Sequence, residues 1–585
     1  MNEVWNLDGL YLGFDDPAFG RDLQNLKDGI AEYASFTKTL SAGDPLTGLR
    51  DGIAMQERLR DLGSNLVEYG MLRQAADTVD PAIGSKVGQV MAVLSDTAAP
   101  EAAFQEWASS LPNLMELVEQ DEILKAYHFY FANMKRSSRY LLSGRGEEIM
   151  AKMSLSGGNA WSELQQYLTS TVPVSYRGET TNLSAIRNLA YAEDAAVRKD
   201  AYEAELGCYD RIRDAVAYAL NAIKLETLND CALRGYAGPL DRTLQESNME
   251  KATLDAMLGA MEEYMPKFRQ YLKAKGKALG HENGLPWYDL FAPMGRLSSG
   301  WTPESVRDYL VELFSGFDSE LADMIRRAFD EAWIDFYPRS GKSGGAFCAG
   351  VEKLHESRIL TNFDGQFTDV VTLAHELGHA FHNQCIDAHR PLNRDYSMPL
   401  AETASTFNEC VLMNAAIKAA ADPAERLALI ENLLQDTTQV IVDIYSRYRF
   451  ESMVFERRDA EFLNADALCA IMAQAQAESY GDGLDPELRH SHMWLCKSHY
   501  YGPTFYNFPY AFGALFARGL YACYEREGAA FVPKYKKLLY TTPVASAEDT
   551  AKVAGIDLTD KEFWRSALQG VANQIDLFCQ LVENL

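Results

Sequence analysis

Apolar residues recur at helical spacing along most of this chain, and that pattern constrains the fold more than any other feature. In the segment "SNMEKATLDAMLGAMEEYMPKF" the apolar residues fall on one face of a predicted helix: Leu254, Met257, Leu258, Met261, Met265 and Phe268. Ser247 and Glu250, which precede this stripe, form a capping-box pattern that predicts where the helix begins. Similar patterns recur across residues 23–142 and 425–456. The sequence therefore predicts a mainly α protein.

Segments with the character of strands are few and lie close together. "SGGAFCAG" (343–350) and "ESRILTNFDG" (356–365) combine apolar or β-branched residues with glycine turns, which predicts a short hairpin. A chain of 585 residues exceeds what one compact core usually supports, so at least two structural regions are expected. The polar stretch 169–182 suggests the boundary, with an N-terminal helical region over residues 1–180 and a second region over residues 181–585.

The charge balance and the cysteines exclude several classes of partner and location. The net charge of −28 would repel nucleic acids and anionic membranes. No apolar stretch is long enough to span a bilayer, and the first residues lack the pattern of a secretory signal peptide. Nine cysteines without paired spacing are typical of reduced thiols. We therefore expect a cytoplasmic protein.

The segment "VVTLAHELGHAFHNQ" (370–384) contains three of the ten histidines of the chain. On a helix its apolar residues form one buried stripe: Val370, Leu373, Ala374, Leu377 and Phe381. His375 and His379 project from nearly the opposite side, so their imidazoles can bind one zinc ion. Glu376, one step round the helix, can reach a water bound to that ion. Exposed histidines on a polar helix face, or a chance occurrence of the motif, are the alternatives.

A catalytic zinc site needs a third protein ligand and an open position for water. A metzincin would carry glycine and histidine where this chain has His382 and Cys385, which excludes that class. In "SMPLAETASTFNE" Pro399 lies near a predicted helix start, and Glu402 and Glu409 follow about two turns apart on one face. Glu402 is the candidate third ligand, and Glu409 could orient a ligand histidine. A solvated acidic face is the alternative for this pair.

The segment "TLAHELGHAFH" followed by "AETASTFNE" resembles the thimet oligopeptidase family of zinc metallopeptidases, in particular its oligoendopeptidase F branch. The resemblance extends to "WNLDGLYLGFDDPAF" near the start, to "SGGAFCAG" and to "SHYYGPTFYNFPYAFGALFA" (498–517). It implies two helical halves around a deep substrate channel, with one small β-sheet near the zinc site. Short unfolded peptides would enter such a channel and folded proteins would not.

The resemblance also implies roles for individual residues, with one zinc ion per chain. His375, His379 and Glu402 match the zinc ligands of the family, and Glu376 matches its catalytic glutamate. The second region, residues 181–585, would then be the zinc metallopeptidase region.

A histidine and tyrosines late in the chain face the scissile carbonyl in such enzymes, and His499, Tyr506 and Tyr510 are the best matches here. The thimet branch surrounds these groups with a glycine-rich loop, whereas this chain has Gly502 and two prolines. Tyr506 and Tyr510 could share a helical face if the helix begins early enough. Packing in the core is the alternative role for these aromatic residues.

Three other residues have simpler interpretations. Cys348, in the predicted hairpin, is expected to serve as a small apolar side chain rather than as a redox switch. His490 and His492 are expected at the surface.

The function predicted from the sequence is hydrolysis of internal bonds in short unfolded peptides. A zinc-activated water would attack, and Glu376 would act as the general base. One alternative is an exopeptidase of the same family that releases C-terminal dipeptides. The other is a peptide-binding protein without catalysis, which would not need a base beside the metal.

Overall fold

The computed structural model describes residues 3–583, and helices dominate it, which confirms the mainly α class. The α-helices over that range are α1 Pro17–Thr37, α2 Pro45–Ala76, α3 Pro81–Ser95, α4 Ala98–Ser110, α5 Leu114–Val118, α6 Glu122–Ala126, α7 His128–Ser137, α8 Gly144–Ser156, α9 Gly158–Thr171, α10 Leu183–Asn188, α11 Ala195–Tyr209, α12 Arg213–Arg234, α13 Pro239–Glu246, α14 Lys251–Ala278, α15 Pro303–Ser315, α16 Ser319–Asp330, α17 Phe367–Ile386, α18 Met398–Ala401, α19 Thr403–Ala419, α20 Pro423–Thr438, α21 Ile444–Arg458, α22 Ala465–Tyr480, α23 Met493–Cys496, α24 Phe508–Glu527, α25 Val532–Thr541, α26 Ala547–Lys552 and α27 Lys561–Glu583.

The strands form two small sheets. They are β1 Val174–Tyr176, β2 Glu179–Thr181, β3 Ile334–Asp335, β4 Phe347–Val351 and β5 Glu356–Leu360. The larger sheet has the order β3-β5-β4, with β4 antiparallel and β3 parallel to β5. The hairpin predicted from residues 343–365 is therefore confirmed as β4 and β5, whereas the sequence did not indicate β3.

The second sheet is a correction to the prediction of a single sheet. Strands β1 and β2 form an antiparallel hairpin inside the polar stretch 169–182, where the sequence suggested only a boundary. Its turn consists of Arg177 and Gly178, which both have positive φ angles, 49° and 88°. The strands are three residues long and only Val174 among them is buried, so they carry too little apolar alternation to be recognised.

The start of α14 is a second correction. The apolar stripe from Leu254 to Phe268 is buried, as predicted. However, the helix begins at Lys251, and Ser247 ends the preceding helix α13 instead of capping α14. Asn248 between them has a positive φ of 52°, which separates the two helices.

The chain forms two compact units, and both are discontinuous in sequence. Unit 1 comprises residues 1–139, 298–412 and 523–555, and unit 2 comprises residues 140–297, 413–522 and 556–585. A core of buried side chains in unit 1 joins α1 to α7 with one residue each of β4 and β5. A core in unit 2 joins α10 to α12 with α21 and α22. The division at residue 180 that the sequence suggested stays a prediction.

Helix α17, which carries the histidine motif, packs on β4 and β5 within unit 1. Its start is fixed by Asp369, whose carboxylate accepts hydrogen bonds from the backbone N–H groups of Asp364, Gly365 and Gln366. The short sheet and this capped helix provide a rigid base for the side chains described below.

Over residues 3–583, no helix is both long enough and apolar enough to cross a membrane.

Candidate metal centre

Helix α17 presents its two faces as the residue spacing predicts. The apolar stripe of Val370, Leu373, Ala374 and Leu377 is fully buried. The side chains of His375 and His379 lie on the other side and keep 25% and 18% of their surface exposed. The two histidines are therefore within reach of solvent, and their backbone is held by a packed helix.

Three ligand atoms from His375, His379 and Glu402 converge on one point. The Nε2 atoms of the two histidines are 3.2 Å apart, and each lies 3.3 Å from Oε2 of Glu402. Tetrahedral ligands at about 2.0–2.1 Å from a zinc ion are separated by about 3.3–3.4 Å. This triangle therefore fits a metal ion of that size, and it is the only such group of histidine, cysteine and acidic residues within residues 3–583.

A close approach of two helices brings Glu402 to the histidines. Glu402 lies directly after α18, and its Oε2 accepts a hydrogen bond of 2.8 Å from Ser405 Oγ. A Cβ atom added at Gly378 would lie 2.5 Å from the carbonyl oxygen of Ala404, so only glycine permits this approach. Asn408 joins the same helices, because its side-chain amide donates to the carbonyl of Ala374 at 3.0 Å. The motif did not indicate the contributions of Gly378 and Ser405, although the glycine between Glu376 and His379 was a visible signal.

Glu409 orients the first histidine. Its Oε1 lies 2.6 Å from Nδ1 of His375, the ring nitrogen that faces away from the triangle. A carboxylate at this position holds the proton on Nδ1 and leaves Nε2 free to bind a metal. The sequence suggested that Glu402 and Glu409 share one continuous helix. They do not, because α19 begins at Thr403, directly after Glu402.

The carboxylates make the triangle favourable for positive charge. Burial opposes protonation of His375, but Glu402 and Glu409 outweigh it and raise the pKa of this histidine to about 10. Burial also opposes ionisation of Glu402, but the two histidines outweigh it and lower the pKa of its carboxyl group. The arrangement therefore stabilises a cation, whether the cation is a proton or a metal ion.

Glu376 lies beside the triangle in a different environment. Its side chain is buried, and this burial raises the pKa of the carboxyl group above its usual value. A carboxylate in such surroundings accepts a proton more readily than one in water. Glu376 does not belong to the group of ligand atoms, as its position one step round the helix predicts.

A cavity of about 590 Å³ in unit 1 contains these groups. His375, Glu376, His379 and Glu402 line one part of it, and residues of β4 line another part. Strand β4 is at the edge of its sheet. Cys348 on β4 also lines the cavity, and burial together with the charge of Glu376 raises the pKa of its thiol. The thiol therefore stays protonated, in line with an apolar role.

His499, Tyr506 and Tyr510 form a second cluster, which belongs to unit 2, whereas the metal-binding triangle belongs to unit 1. The ring centroid of His499 lies 5.5 Å from the ring centroid of Tyr506 and 5.8 Å from that of Tyr510. The centroids of the two tyrosine rings are 5.4 Å apart. Burial and the nearby cations Arg447 and Lys497 lower the pKa of His499 to about 4, so its ring is neutral at pH 7. Tyr506 precedes α24 and Tyr510 lies in its first turn, so the two do not share a helical face.

The expectation that His490 is a surface residue is wrong. His490 is fully buried, its ring packs between Tyr202 and Tyr209, and its Nε2 lies 3.1 Å from Glu205. His492 is half-buried and stacks on Tyr209. Neither the periodicity of apolar residues nor a motif predicted that His490 packs with Tyr202, Tyr209 and Glu205, because these residues are distant from it in the chain.

Comparison with known families agrees with the motif. The family model "Peptidase family M3" matches residues 311–570, and the model "Oligopeptidase F" matches residues 98–172. The first range includes the histidine motif, Glu402 and the aromatic cluster. Together the two models cover more than half of the chain.

Individual relatives and solved structures extend this agreement to almost the whole chain. The Oligopeptidase PepF of Bacillus subtilis is 23% identical over 98% of this chain and 86% of its own length. An oligoendopeptidase F homolog of Mycoplasma pneumoniae is 22% identical over 93% of this chain and 95% of its own. A putative peptidase from Chlamydophila abortus shares the fold with a TM-score of 0.85 at 20% identity, covering 99% of this chain and 98% of that one. The oligoendopeptidase-F of Enterococcus faecium superposes with a TM-score of 0.72 at 18% identity, over 97% of this chain and 99% of its own.

The histidine-glutamate triangle, the two family models and the relatives along the full chain agree with one another. The chain belongs to peptidase family M3, in its oligoendopeptidase F branch, and is a metallopeptidase.

Proposed function

We propose that the protein is a zinc-dependent oligoendopeptidase that hydrolyses internal bonds of short, unfolded peptides. The observation that carries this proposal is the triangle of His375, His379 and Glu402 with Glu376 beside it in one cavity. His375, His379 and Glu402 would hold one zinc ion per chain. When bound, that ion supplies a Lewis acid that polarises a carbonyl and lowers the pKa of water.

Glu376 would move the proton in the reaction. Its carboxylate accepts a proton from the attacking water and delivers it to the amine that leaves. Its burial supports this role, because a raised pKa makes the carboxylate a stronger base toward the proton of the attacking water. A protein that only binds peptides would not need this buried carboxylate, which argues against the carrier alternative.

Strand β4 would align the substrate. It is an edge strand that lines the cavity, so its free backbone groups can pair with an extended peptide. Such pairing forms hydrogen bonds to the backbone of the substrate and not to its side chains, which suits an enzyme that accepts many peptides. It also requires an extended substrate, which a stably folded protein does not offer.

His499, Tyr506 and Tyr510 would donate hydrogen bonds to the oxyanion that forms on the scissile carbonyl. Two observations support the role of this cluster. The three rings lie together, and His499 is neutral, so its ring can donate without carrying a charge into the reaction. The assignment of the individual donors rests on the resemblance to the family.

Among the groups of unit 1, the lining of the cavity supports endopeptidase action over release of C-terminal dipeptides. An enzyme that recognises a terminal carboxylate needs a cation to bind it. Arg394 is the only arginine or lysine among the residues that line the cavity of unit 1, and its guanidinium is bound by Glu352 at 3.1 Å. Peptides that lack a free C-terminal carboxylate should therefore remain substrates.

We place the protein in the cytoplasm. Within residues 3–583 none of the nine cysteines forms a disulfide bond, which suits a reducing compartment. The net charge of −28 disfavours nucleic acids and anionic membranes as partners. The proposed partners are therefore peptide substrates.

Mass spectrometry of peptide digests tests this proposal. A mixture of flexible peptides, each synthesised with a free and with an amidated C-terminus, is incubated with the zinc-loaded protein. We expect internal cleavage of both forms at similar rates, and survival of a stably folded protein under the same conditions. Cleavage restricted to the free-carboxylate peptides, two residues from the end, would establish the exopeptidase instead. Binding of the peptides without any hydrolysis would establish the carrier.

A further inference from the structure

A buried ion pair in unit 2 lies outside both clusters described above. Lys224 on α12 donates to Oε1 of Glu451 on α21 at 2.6 Å, and each side chain is only 1% exposed. A buried carboxylate is costly unless hydrogen bonds satisfy its other lone pairs. The remaining partners of Glu451 therefore indicate what this pair does.

Those partners come from the turn that carries Tyr506. The backbone N–H of Phe505 donates to Oε1 of Glu451 at 3.2 Å. The side-chain amide of Asn507 donates to Oε2 at 2.8 Å. One buried carboxylate thus binds the residues on both sides of Tyr506, whose ring packs against His499 and Tyr510.

The turn is strained, so it needs such an anchor. Phe505 has a φ angle of +51°, which is unfavourable for a bulky residue. Its ring is buried against Tyr448 and Phe455, and the ammonium of Lys224 lies 4.9 Å from the ring centre of Phe455. Backbone strain of this kind persists only where the surroundings hold it in place.

The same anchor reaches the second tyrosine through Asn507. The side-chain oxygen of Asn507 accepts from the backbone N–H of Phe508 at 2.6 Å, and its carbonyl accepts from the N–H of Tyr510 at 3.1 Å. Asn507 is itself almost fully buried. A shift of the Glu451 carboxylate would therefore move both the turn and the first residues of α24.

We propose that Lys224 and Glu451 are positioning residues that hold Tyr506 and Tyr510 in the geometry needed for the oxyanion. The proposal rests on the role given to these tyrosines above. Neither Lys224 nor Glu451 touches the substrate in this account. Their charge pair fixes the turn before the peptide binds, so that no ordering is needed during the reaction.

The test compares two double variants that each neutralise one buried pair. Lys224→Met/Glu451→Gln weakens the anchor without leaving an unpaired charge, because glutamine keeps one acceptor oxygen and turns the other into an amide donor that faces the turn. Lys275→Met/Glu431→Gln is the matched control, because Lys275 and Glu431 form a buried pair in the same unit that binds Tyr271 and Leu290 instead of the turn. Hydrogen exchange, measured on peptides that cover residues 503–510, shows whether the turn is held in place. The kinetics of peptide hydrolysis show whether a loosened turn lowers turnover.

In the first variant we expect the backbone amides of residues 505–508 and 510 to exchange at least about tenfold faster than in wild type, while the control stays unchanged. The kcat of the first variant should fall at least about tenfold, with KM within about threefold. In a Tyr506→Phe/Tyr510→Phe background the same change should lower kcat by less than about twofold further, because the pair acts through these residues. Unchanged amide exchange, or an equal kinetic loss in the control, would overturn the proposal.

A second variant covers the case in which the double variant does not fold. Asn507→Ala leaves the ion pair intact and deletes one of the two bonds from Glu451 to the turn, together with the bond from the N–H of Phe508 to the Asn507 side chain. It should produce the same faster exchange and the same fall in kcat, and unchanged exchange would again overturn the proposal. If Tyr506→Phe and Tyr510→Phe leave kcat at the wild-type value, the oxyanion role fails, and the amide exchange still decides whether the pair positions the turn.

Discussion

At the scale of single residues, the two glutamates proposed as metal ligand and as base have different surroundings. Glu402 lies between two imidazoles, which lower the pKa of its carboxyl group and suit it to bind a cation. Glu376 is buried one step away from the ligand triangle, and burial raises its pKa. The sequence predicted this pairing of a ligand and a base, because helix geometry alone places Glu376 beside the two histidines.

Glu376→Gln should separate chemistry from metal binding. The amide keeps the shape of the side chain but cannot accept a proton, so kcat should fall by about 10²–10⁴-fold while zinc content stays at the wild-type level. Glu409→Gln is the matched comparison, because it weakens the orientation of His375 and should lower zinc affinity by about 10–100-fold. Steady-state kinetics and chelator titration of both variants distinguish the two roles. Near-normal turnover of Glu376→Gln would rule out this residue as the base.

Tyr510→Phe tests the part of the site that rests most on resemblance. The substitution deletes one hydroxyl group, and loss of an oxyanion donor commonly costs about 2.7–4 kcal/mol of transition-state stabilisation. We expect kcat to fall at least about tenfold with zinc content and Tm nearly unchanged. A kcat within about twofold of wild type would assign Tyr510 to packing, and the donor would then be sought at Tyr506 or His499.

At the scale of elements, the sequence predicted what depends on local pattern and missed what depends on contacts. The hairpin of β4 and β5 and the buried stripe of α14 follow from periodicity, and both were predicted. The start of α14 was misplaced, because Asn248 adopts a positive φ that ends α13 after the predicted cap residue. The burial of His490 was also missed, since its partner Glu205 lies on a distant helix.

Gly378→Ala should disturb the contact that brings the third ligand to the histidines. The added Cβ would lie 2.5 Å from the carbonyl of Ala404, so the segment after Glu402 has to move. We expect zinc affinity to fall at least about tenfold and Tm to decrease. Gly570→Ala in α27 is the control, because that position is open and alanine there should be neutral or slightly stabilising. Equal behaviour of the two variants would show that the close approach at Gly378 is unimportant.

The buried cluster around Glu205 should make stability depend on pH. Burial opposes ionisation of Glu205, but His490, Arg187 and Tyr209 outweigh it and lower the pKa of Glu205 to about 2. A folded-state pKa below the unfolded value stabilises the fold above pH 4.5, and that stability is lost as the pH falls from about 4.5 towards 2.

Glu205→Gln should therefore lower the free energy of unfolding by about 3 kcal/mol at pH 7, and by progressively less below pH 4.5. Urea denaturation at several pH values measures this difference. Glu203→Gln is the control, because Glu203 lies on the same helix, is exposed, and should change stability by less than about 0.5 kcal/mol. A loss from Glu205→Gln that does not change with pH would contradict the assignment.

At the scale of the whole molecule, the residues assigned to catalysis are divided between two compact units. The ligand triangle and Glu376 belong to unit 1, and His499, Tyr506 and Tyr510 belong to unit 2. The spacing of the histidine motif and of Glu402 predicted the members of the first group, and the resemblance to the family implied the members of the second. The composition of the units could not be predicted in this way, because each unit is assembled from three separate segments of the chain.

The central claim is that His375, His379 and Glu402 bind one zinc ion, and metal content tests it most directly. Zinc per chain is measured by plasma mass spectrometry after purification without chelators, for wild type, His375→Ala and His355→Asn. His355 lines the same cavity, but its ring is bound by Asp387 and lies outside the ligand triangle. The account predicts about one zinc per chain in wild type and His355→Asn, and none in His375→Ala. Undiminished zinc in His375→Ala, or a wild-type protein that binds no zinc when the ion is supplied, would contradict it.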